Sequence, residues 1–199
     1  MSNNLVIAKA GSLTKVDSTV PYLTQDEISL ICQKALEGRN GERDSLLVLT
    51  LFQTGLRISE ALSLTPGSIS LYNAIPVVYV KKGKGGKDRK VSLPGPLFHR
   101  IKSYAFDKKL EAKDRIFDIN RKRAWQIVKE VTRKAGIGKN AYPHLFRHSD
   151  AIYRLKQSGN PKALQHHLGH STLFMTMRYL STLQEEESLA IESRVTFNE

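Results

Sequence analysis

The segment Pro143-His144-Leu145-Phe146-Arg147-His148 carries a histidine, an arginine three residues on and a second histidine directly after it. On a helix, positions i, i+3 and i+4 share one face, so His144, Arg147 and His148 can converge on one object. Downstream, Leu168-Gly169-His170-Ser171-Thr172 adds another histidine, and Tyr179 follows nine residues after it. Gly169 suits a helix C-terminus, and Ser171 or Thr172 suits the N-cap of the next helix. In one unbroken helix His170 and Tyr179 would face apart, so this break is what allows them to meet. From Thr172 onward, Leu173, Thr176, Met177 and Leu180 form the expected inward stripe. Tyr179 falls off that stripe beside Met175, which makes it a poor candidate for a packing tyrosine. In the first half of the chain, Thr54-Gly55-Leu56-Arg57-Ile58-Ser59-Glu60-Ala61-Leu62 puts Arg57 just past a glycine, at the start of a helix.

Two arginines and a cluster of histidines suit the gripping of a phosphate. Attack at the phosphorus of a phosphodiester spreads negative charge over the equatorial oxygens, and without a metal that charge must be met by side chains. The guanidinium forks of Arg57 and Arg147 donate in pairs to phosphate oxygens and do not deprotonate. His170 would add a further donor.

A lysine-bearing turn, Lys82-Gly83-Lys84-Gly85-Gly86-Lys87-Asp88-Arg89, lies between the two halves of this set. The ordered pieces G-L-R-x-S-E, G-K-G-x-K-x-R, H-x-x-R-H, L-G-H and a terminal tyrosine resemble the tyrosine recombinases, the phage integrase and Xer-like family. The resemblance spans roughly residues 23–180. It implies the tyrosine recombinase catalytic-domain fold, mainly α with a small antiparallel β-sheet (α+β). It also implies a site-specific recombinase or integrase that cleaves and rejoins DNA strands through a covalent 3′-phosphotyrosine intermediate, without metal or ATP. In that scheme Arg57, Lys84, His144, Arg147, His170 and Tyr179 are catalytic. The Tyr179 hydroxyl attacks, with nearby positive charge lowering its pKa from an ordinary value of about 10. His144 accepts its proton and Lys84 protonates the departing 5′ oxygen. Lys82 and Lys87 compete with Lys84 for that last role. Three features depart from the pattern or cloud it. Leu145 and Phe146 stand between the histidine and arginine of the box, and Asp150 stands where a small or apolar residue is usual. His166, His167 and His170 invite a zinc reading, but no cysteine or spaced carboxylate set accompanies them. No cofactor or metal is expected, and His166 or His167 reads as a helix-end surface histidine.

The formal charge is +12, and residues 81–134 carry eighteen Lys and Arg against six Asp and Glu, an excess equal to that of the whole chain. Such a region is the footprint of a polyanion-binding surface. Together with the motif set it makes double-stranded DNA the expected partner, and the resemblance implies a homo-oligomer, a tetramer, on it. After Leu183 the balance reverses, with five glutamates against Arg194. The single cysteine, Cys32, excludes a disulfide framework within one chain and suits a reducing cytoplasm. No run of about 18 apolar residues suggests a membrane span, and no secretion signal is legible.

The elements that must hold these residues are readable in order. Thr24 and Glu27 form a capping box for a first helix with Ile28, Ile31, Cys32 and Ala35 on its apolar face. Residues 44–54 make a second, very apolar helix that Gly55 ends. Glu60, in a short third helix, either buttresses Arg57 or lies on the surface. A short strand near residues 69–72 precedes a hairpin of residues 76–82 and 87–93. Residues 97–106 and 120–135 read as helices, the latter with Ala124, Ile127, Val128 and Val131 inward and Lys122, Lys129 and Arg133 on the opposite, candidate DNA-facing side. The box helix, a short helix over residues 161–168 and the nucleophile helix follow. Three segments result: an N-terminal arm or linker over residues 1–21, a catalytic domain over 22–180 and an acidic tail over 181–199. The chain reads either as a minimal recombinase or as the catalytic part of a larger one. Leu189, Ile191, Val195 and Phe197 give the tail an apolar side. The resemblance implies that it docks into a neighbouring protomer, and packing within its own chain is the competing reading. Two other activities compete with recombination: a type IB-like topoisomerase, which shares the chemistry, and a DNA-binding regulator without cleavage.

Overall fold

The computed structural model describes residues 21–81, 88–180 and 185–194. Lys82, Lys84 and Lys87, most of the N-terminal arm, and Val195 and Phe197 lie outside the described residues.

Nine α-helices and three strands are present among those residues: α1 (Gln25–Leu36), α2 (Gly41–Thr54), α3 (Ile58–Leu62), β1 (Ile69–Tyr72), β2 (Ile75–Val80), β3 (Arg89–Ser92), α4 (Gly95–Asp107), α5 (Arg121–Lys134), α6 (Pro143–Ser158), α7 (Pro161–Leu168), α8 (Phe174–Met177) and α9 (Glu185–Glu192). The mainly helical α+β architecture is thus the one expected. Helix α1 starts at the Thr24–Glu27 capping box and buries Ile28, Ile31, Cys32 and Ala35. Glu27 also accepts from Lys139 Nζ, which ties that helix start to the loop before α6. Helix α2 is the centre of the core, with Leu46, Leu47, Val48 and Leu51 essentially inaccessible to solvent. Being apolar on nearly every side, it must be enclosed by other elements, and α1, α4 and α6 pack around it.

The strands form an antiparallel sheet in the order β1-β2-β3, with Ile69 opposite Val78 and Val78 opposite Val91. Asn73 and Ala74 turn β1 into β2 with φ of 48° and 63°, as a two-residue hairpin connection requires. Helix α5 presents Ala124, Ile127, Val128 and Val131 to the core and leaves Lys122, Lys129 and Arg133 exposed. On that outer face the Lys129 ammonium lies 5.0 Å from the centre of the Trp125 ring.

Two apolar clusters divide the interior. The larger joins α1 through α5 and the first turn of α6, including Leu145 and Phe146. The smaller contains Ala151, Ile152 and Leu155 of α6, Leu164 and Leu168 of α7, and Tyr179. Gly55 and Arg147 sit at the junction between them, because Arg147 reaches the Gly55 carbonyl from α6. Helix α9 lies against the end of α6: Arg194 donates to the Gln157 carbonyl at 2.8 Å, and Ile191 sits over Gly159. Leu189 remains exposed. No helix among the described residues is long and apolar enough to cross a membrane.

Candidate active site

Gly55 closes α2 in the left-handed region, at φ 57°, and so turns the chain sharply into α3. Arg57 is the N-cap residue of α3. Its backbone N–H donates to Glu60 Oε2 at 2.8 Å, and its Nη1 donates to Glu60 Oε1 at 3.1 Å. Glu60 therefore braces Arg57 and is no surface glutamate. It also receives Arg89 from β3 as a two-pronged pair, both contacts at 2.9 Å. Burial alone would raise the Glu60 carboxyl. The hydrogen bonds from Arg89 and from the Arg57 backbone, with the charges of both arginines, instead hold it at about 2. Arg89 also donates from Nε to the His167 carbonyl at 3.1 Å, so one side chain joins β3, α3 and α7. Arg89 closes the lysine-turn pattern in the sequence, which was the only signal pointing to it.

Arg147 is 4% exposed. Its Nη1 donates to the Gly55 carbonyl and its Nη2 to the Leu168 carbonyl, the latter at 2.7 Å. Burial and the neighbouring Arg57 lower its pKa to about 10, so it stays charged at neutral pH. Asp150, one turn further along α6, is also buried. It is held by Arg154 Nε at 2.7 Å and by His167 Nε2 at 3.1 Å. The aspartate that departed from the family pattern thus joins α6 to α7 through His167 without pairing with Arg147. Of the two histidines read as a helix-end surface residue, His166 is the exposed one, and His167 is a half-buried partner of Asp150.

Helix α7 ends at Gly169, φ 65°, and the turn places His170 between α7 and α8. Its backbone N–H donates to the Gln165 carbonyl, and its Nδ1 lies 2.9 Å from Thr176 Oγ1. Burial and the Arg147 and Arg57 charges depress His170 to about 4. The Tyr179 ring stacks on His170 at 6.4 Å between centres and 16° between planes.

The surroundings of Tyr179 differ from expectation in three respects. Helix α8 spans only Phe174–Met177, and Tyr179 lies in the turn beyond it, so the periodicity of a continuous helix does not apply. Leu173 and Met177, expected inward, are 39% and 43% exposed, whereas Tyr179 is 4% exposed and packs in the smaller cluster. Its pKa is raised, because burial outweighs the Arg147 and Arg178 charges that lower it. Thirdly, the histidine on its hydroxyl is His148, with Nδ1 2.9 Å from Tyr179 Oη. His144 stands one turn back on α6, its ring 6.4 Å from that of His148. The sequence placed His148 on the same face as His144 and Arg147, but which of the two histidines meets Tyr179 depends on how α6 is rotated in the fold. Arg57, His144, Arg147, His170 and Tyr179 are thus gathered into one neighbourhood, in which the Arg147 charge acts on His144, His170 and Tyr179.

The sequence profile described as the phage integrase family matches residues 21–186. The chain belongs to the phage integrase family. It is 33% identical over 187 residues to the tyrosine recombinase XerA of Pyrococcus furiosus, an alignment covering 89% of this chain and 63% of that relative. The chain therefore spans less than two thirds of that relative's length. Its fold is similar to the crystal structure of XerA recombinase, with TM-score 0.71 and 24% identity over 90% of this chain and 67% of the other. It is also similar to the catalytic domain of bacteriophage HP1 integrase, with TM-score 0.62 and 25% identity, covering 88% of this chain and 95% of that domain.

Proposed function

We propose that this family member is a site-specific tyrosine recombinase domain that cleaves and rejoins strands of double-stranded DNA through a 3′-phosphotyrosine at Tyr179. The observation that carries the reading is the convergence of two guanidiniums, a histidine and a tyrosine on one small region, reached from α3, α6, the turn after α7 and the turn after α8. A phosphate seated between Arg57 and Arg147 would receive donors that keep their charge, with His170 as a third. Tyr179 attacks phosphorus, and the bond to the 5′ oxygen breaks. Lys84 serves as the acid for that oxygen. The phosphotyrosyl ester conserves the energy of the broken bond, so a 5′-hydroxyl can reverse the attack without a nucleotide.

The basic segment of residues 81–134 supplies the surface for the DNA backbone, and assembly of a homotetramer on DNA would bring four such sites to two duplexes. Residues 22–180 are the catalytic unit of this reading, and its setting is the cytoplasm.

A library of nicked duplexes with a randomised core tests the proposal. In such a duplex the short strand carrying the 5′-hydroxyl diffuses away after cleavage, so the reaction stops at the adduct. The whole chain should acquire a DNA adduct that survives denaturing detergent, enriched for one duplex sequence. Attachment at arbitrary sequences, with relaxation of supercoiled plasmid, would favour the topoisomerase activity. Binding without attachment would leave a DNA-binding regulator.

A further inference from the structure

We propose that His148 is the catalytic base that takes the Tyr179 proton during strand cleavage and returns it during rejoining. The inference rests on the recombinase reading and adds a residue to it. Three observations carry it. The Tyr179 hydroxyl lies in hydrogen-bond contact with His148 Nδ1, at 2.9 Å. Tyr179 is nearly inaccessible to solvent, so bulk water is poorly placed to take that proton as the hydroxyl attacks. The residue of the box on which the proton role was expected, His144, neighbours the His148 ring, whose centre is 6.4 Å from that of His144 and 5.7 Å from that of Tyr179.

The protonation states agree with this role. Burial, His144, Arg178 and Arg147 hold His148 at about 4, so its imidazole is neutral at physiological pH. A neutral imidazole that accepts at Nδ1 carries its proton on Nε2. As the Tyr179 oxygen bonds to phosphorus, the Oη–H proton moves to Nδ1 and gives an imidazolium. The phosphorus–O5′ bond breaks, and the 5′ oxygen takes a proton from the cationic acid of the site. In rejoining, a 5′-hydroxyl attacks phosphorus and gives its proton to the now-neutral acid of the site, the phosphorus–Tyr179 bond breaks, and the imidazolium gives Nδ1–H back to the phenolate oxygen. Arriving phosphate charge stabilises that imidazolium, so His148 becomes a better base once DNA is bound. The charged and titratable groups around it are His144 and Arg147 of α6, His170, Arg178 and Tyr179.

The test uses the duplex that wild type selects from the nicked library, in single-turnover adduct formation across pH 5.5–9.5, with two variants. His148→Gln removes the ring. His148→Asn keeps a carbonyl acceptor near the Nδ1 position and cannot take up a proton. Both should slow adduct formation by about 10²- to 10⁴-fold at neutral pH. Their rates should climb with pH towards the tyrosine pKa, whereas wild type levels off. The slow variants should stay slow on a duplex whose scissile 5′ oxygen is replaced by sulfur. That substitution supplies a good leaving group and rescues loss of the acid, not loss of the base. Wild-type rates in His148→Asn, or a pH slope that changes only in His144→Asn, would overturn the proposal. Nitrogen-15 NMR of labelled histidines in the DNA-free chain checks the starting state. An Nδ1 resonance of His148 that is unprotonated, and that shifts in Tyr179→Phe, supports it, and a protonated Nδ1 overturns it. If wild type forms no adduct with any duplex, the recombinase reading fails and the base role falls with it, while the NMR result still reports the contact.

Discussion

Arg147 and Gly55 are joined by a hydrogen bond that ties the buried arginine of α6 to the turn carrying Arg57. Arg147 donates to the Gly55 carbonyl from Nη1 and to the Leu168 carbonyl from Nη2, so it spans the end of α2 and the end of α7. Each terminal nitrogen keeps one further N–H for a phosphate oxygen. The guanidinium is thus a brace that a lysine ammonium cannot reproduce, because its point charge does not bridge two separated carbonyls, and in the proposed reaction it is also a donor.

Arg147→Lys should therefore lose stability as well as cleavage. Exchanging two charged hydrogen bonds for at most one should cost about 2 kcal/mol in urea unfolding. A variant as stable as wild type would show that the two carbonyls do not depend on the fork.

Gly55→Ala should be costly for two separable reasons. The backbone stands at φ 57°, and a Cβ there would come within 2.3 Å of Asp150 Oδ2. Asp150 cannot yield easily, being fixed by Arg154 and His167. The expected loss is about 2–4 kcal/mol, measured by thermal or urea unfolding.

Glu60 gives the fold a characteristic acid response. Its carboxyl lies at about 2 in the folded chain against an ordinary 4.5. The stabilisation is complete above 4.5 and is lost as pH falls from there towards 2, because the unfolded chain takes up the proton first. Glu60→Gln should start less stable at neutral pH and show a flatter loss over that window. Stability measured at a series of pH values decides it.

His148 and His170 add a second window at higher pH. Both are depressed to about 4 from an ordinary 6.5, chiefly by burial. Between those values the unfolded chain binds more protons, so stability present above 6.5 should decline as pH falls towards 4. Replacing both by Gln should flatten the profile there and leave the Glu60 window unchanged.

Much of this arrangement was legible in the sequence, because it rests on local signals. The Thr24–Glu27 box, the apolar faces of α1 and α5, the Gly55 and Gly169 helix ends and the hairpin are all set by neighbouring residues. Glu60 stands three residues from Arg57, but neighbouring residues alone do not decide its role, since its second partner, Arg89, arrives from a strand 29 positions away. The burial of Tyr179 was not legible. It follows from a helix, α8, that stops after four residues, where the sequence pattern offered a longer apolar stripe. The choice of His148 over His144 and the Asp150–His167 pair likewise depend on how α6 and α7 rotate against each other.

Peptide mapping of the covalent DNA–protein complex tests the central claim most directly. The account predicts a phosphotyrosyl linkage at Tyr179 in wild type and no linkage in Tyr179→Phe, which should still fold and bind the same duplex. An adduct mapped to another residue, or one that persists in Tyr179→Phe, would contradict it.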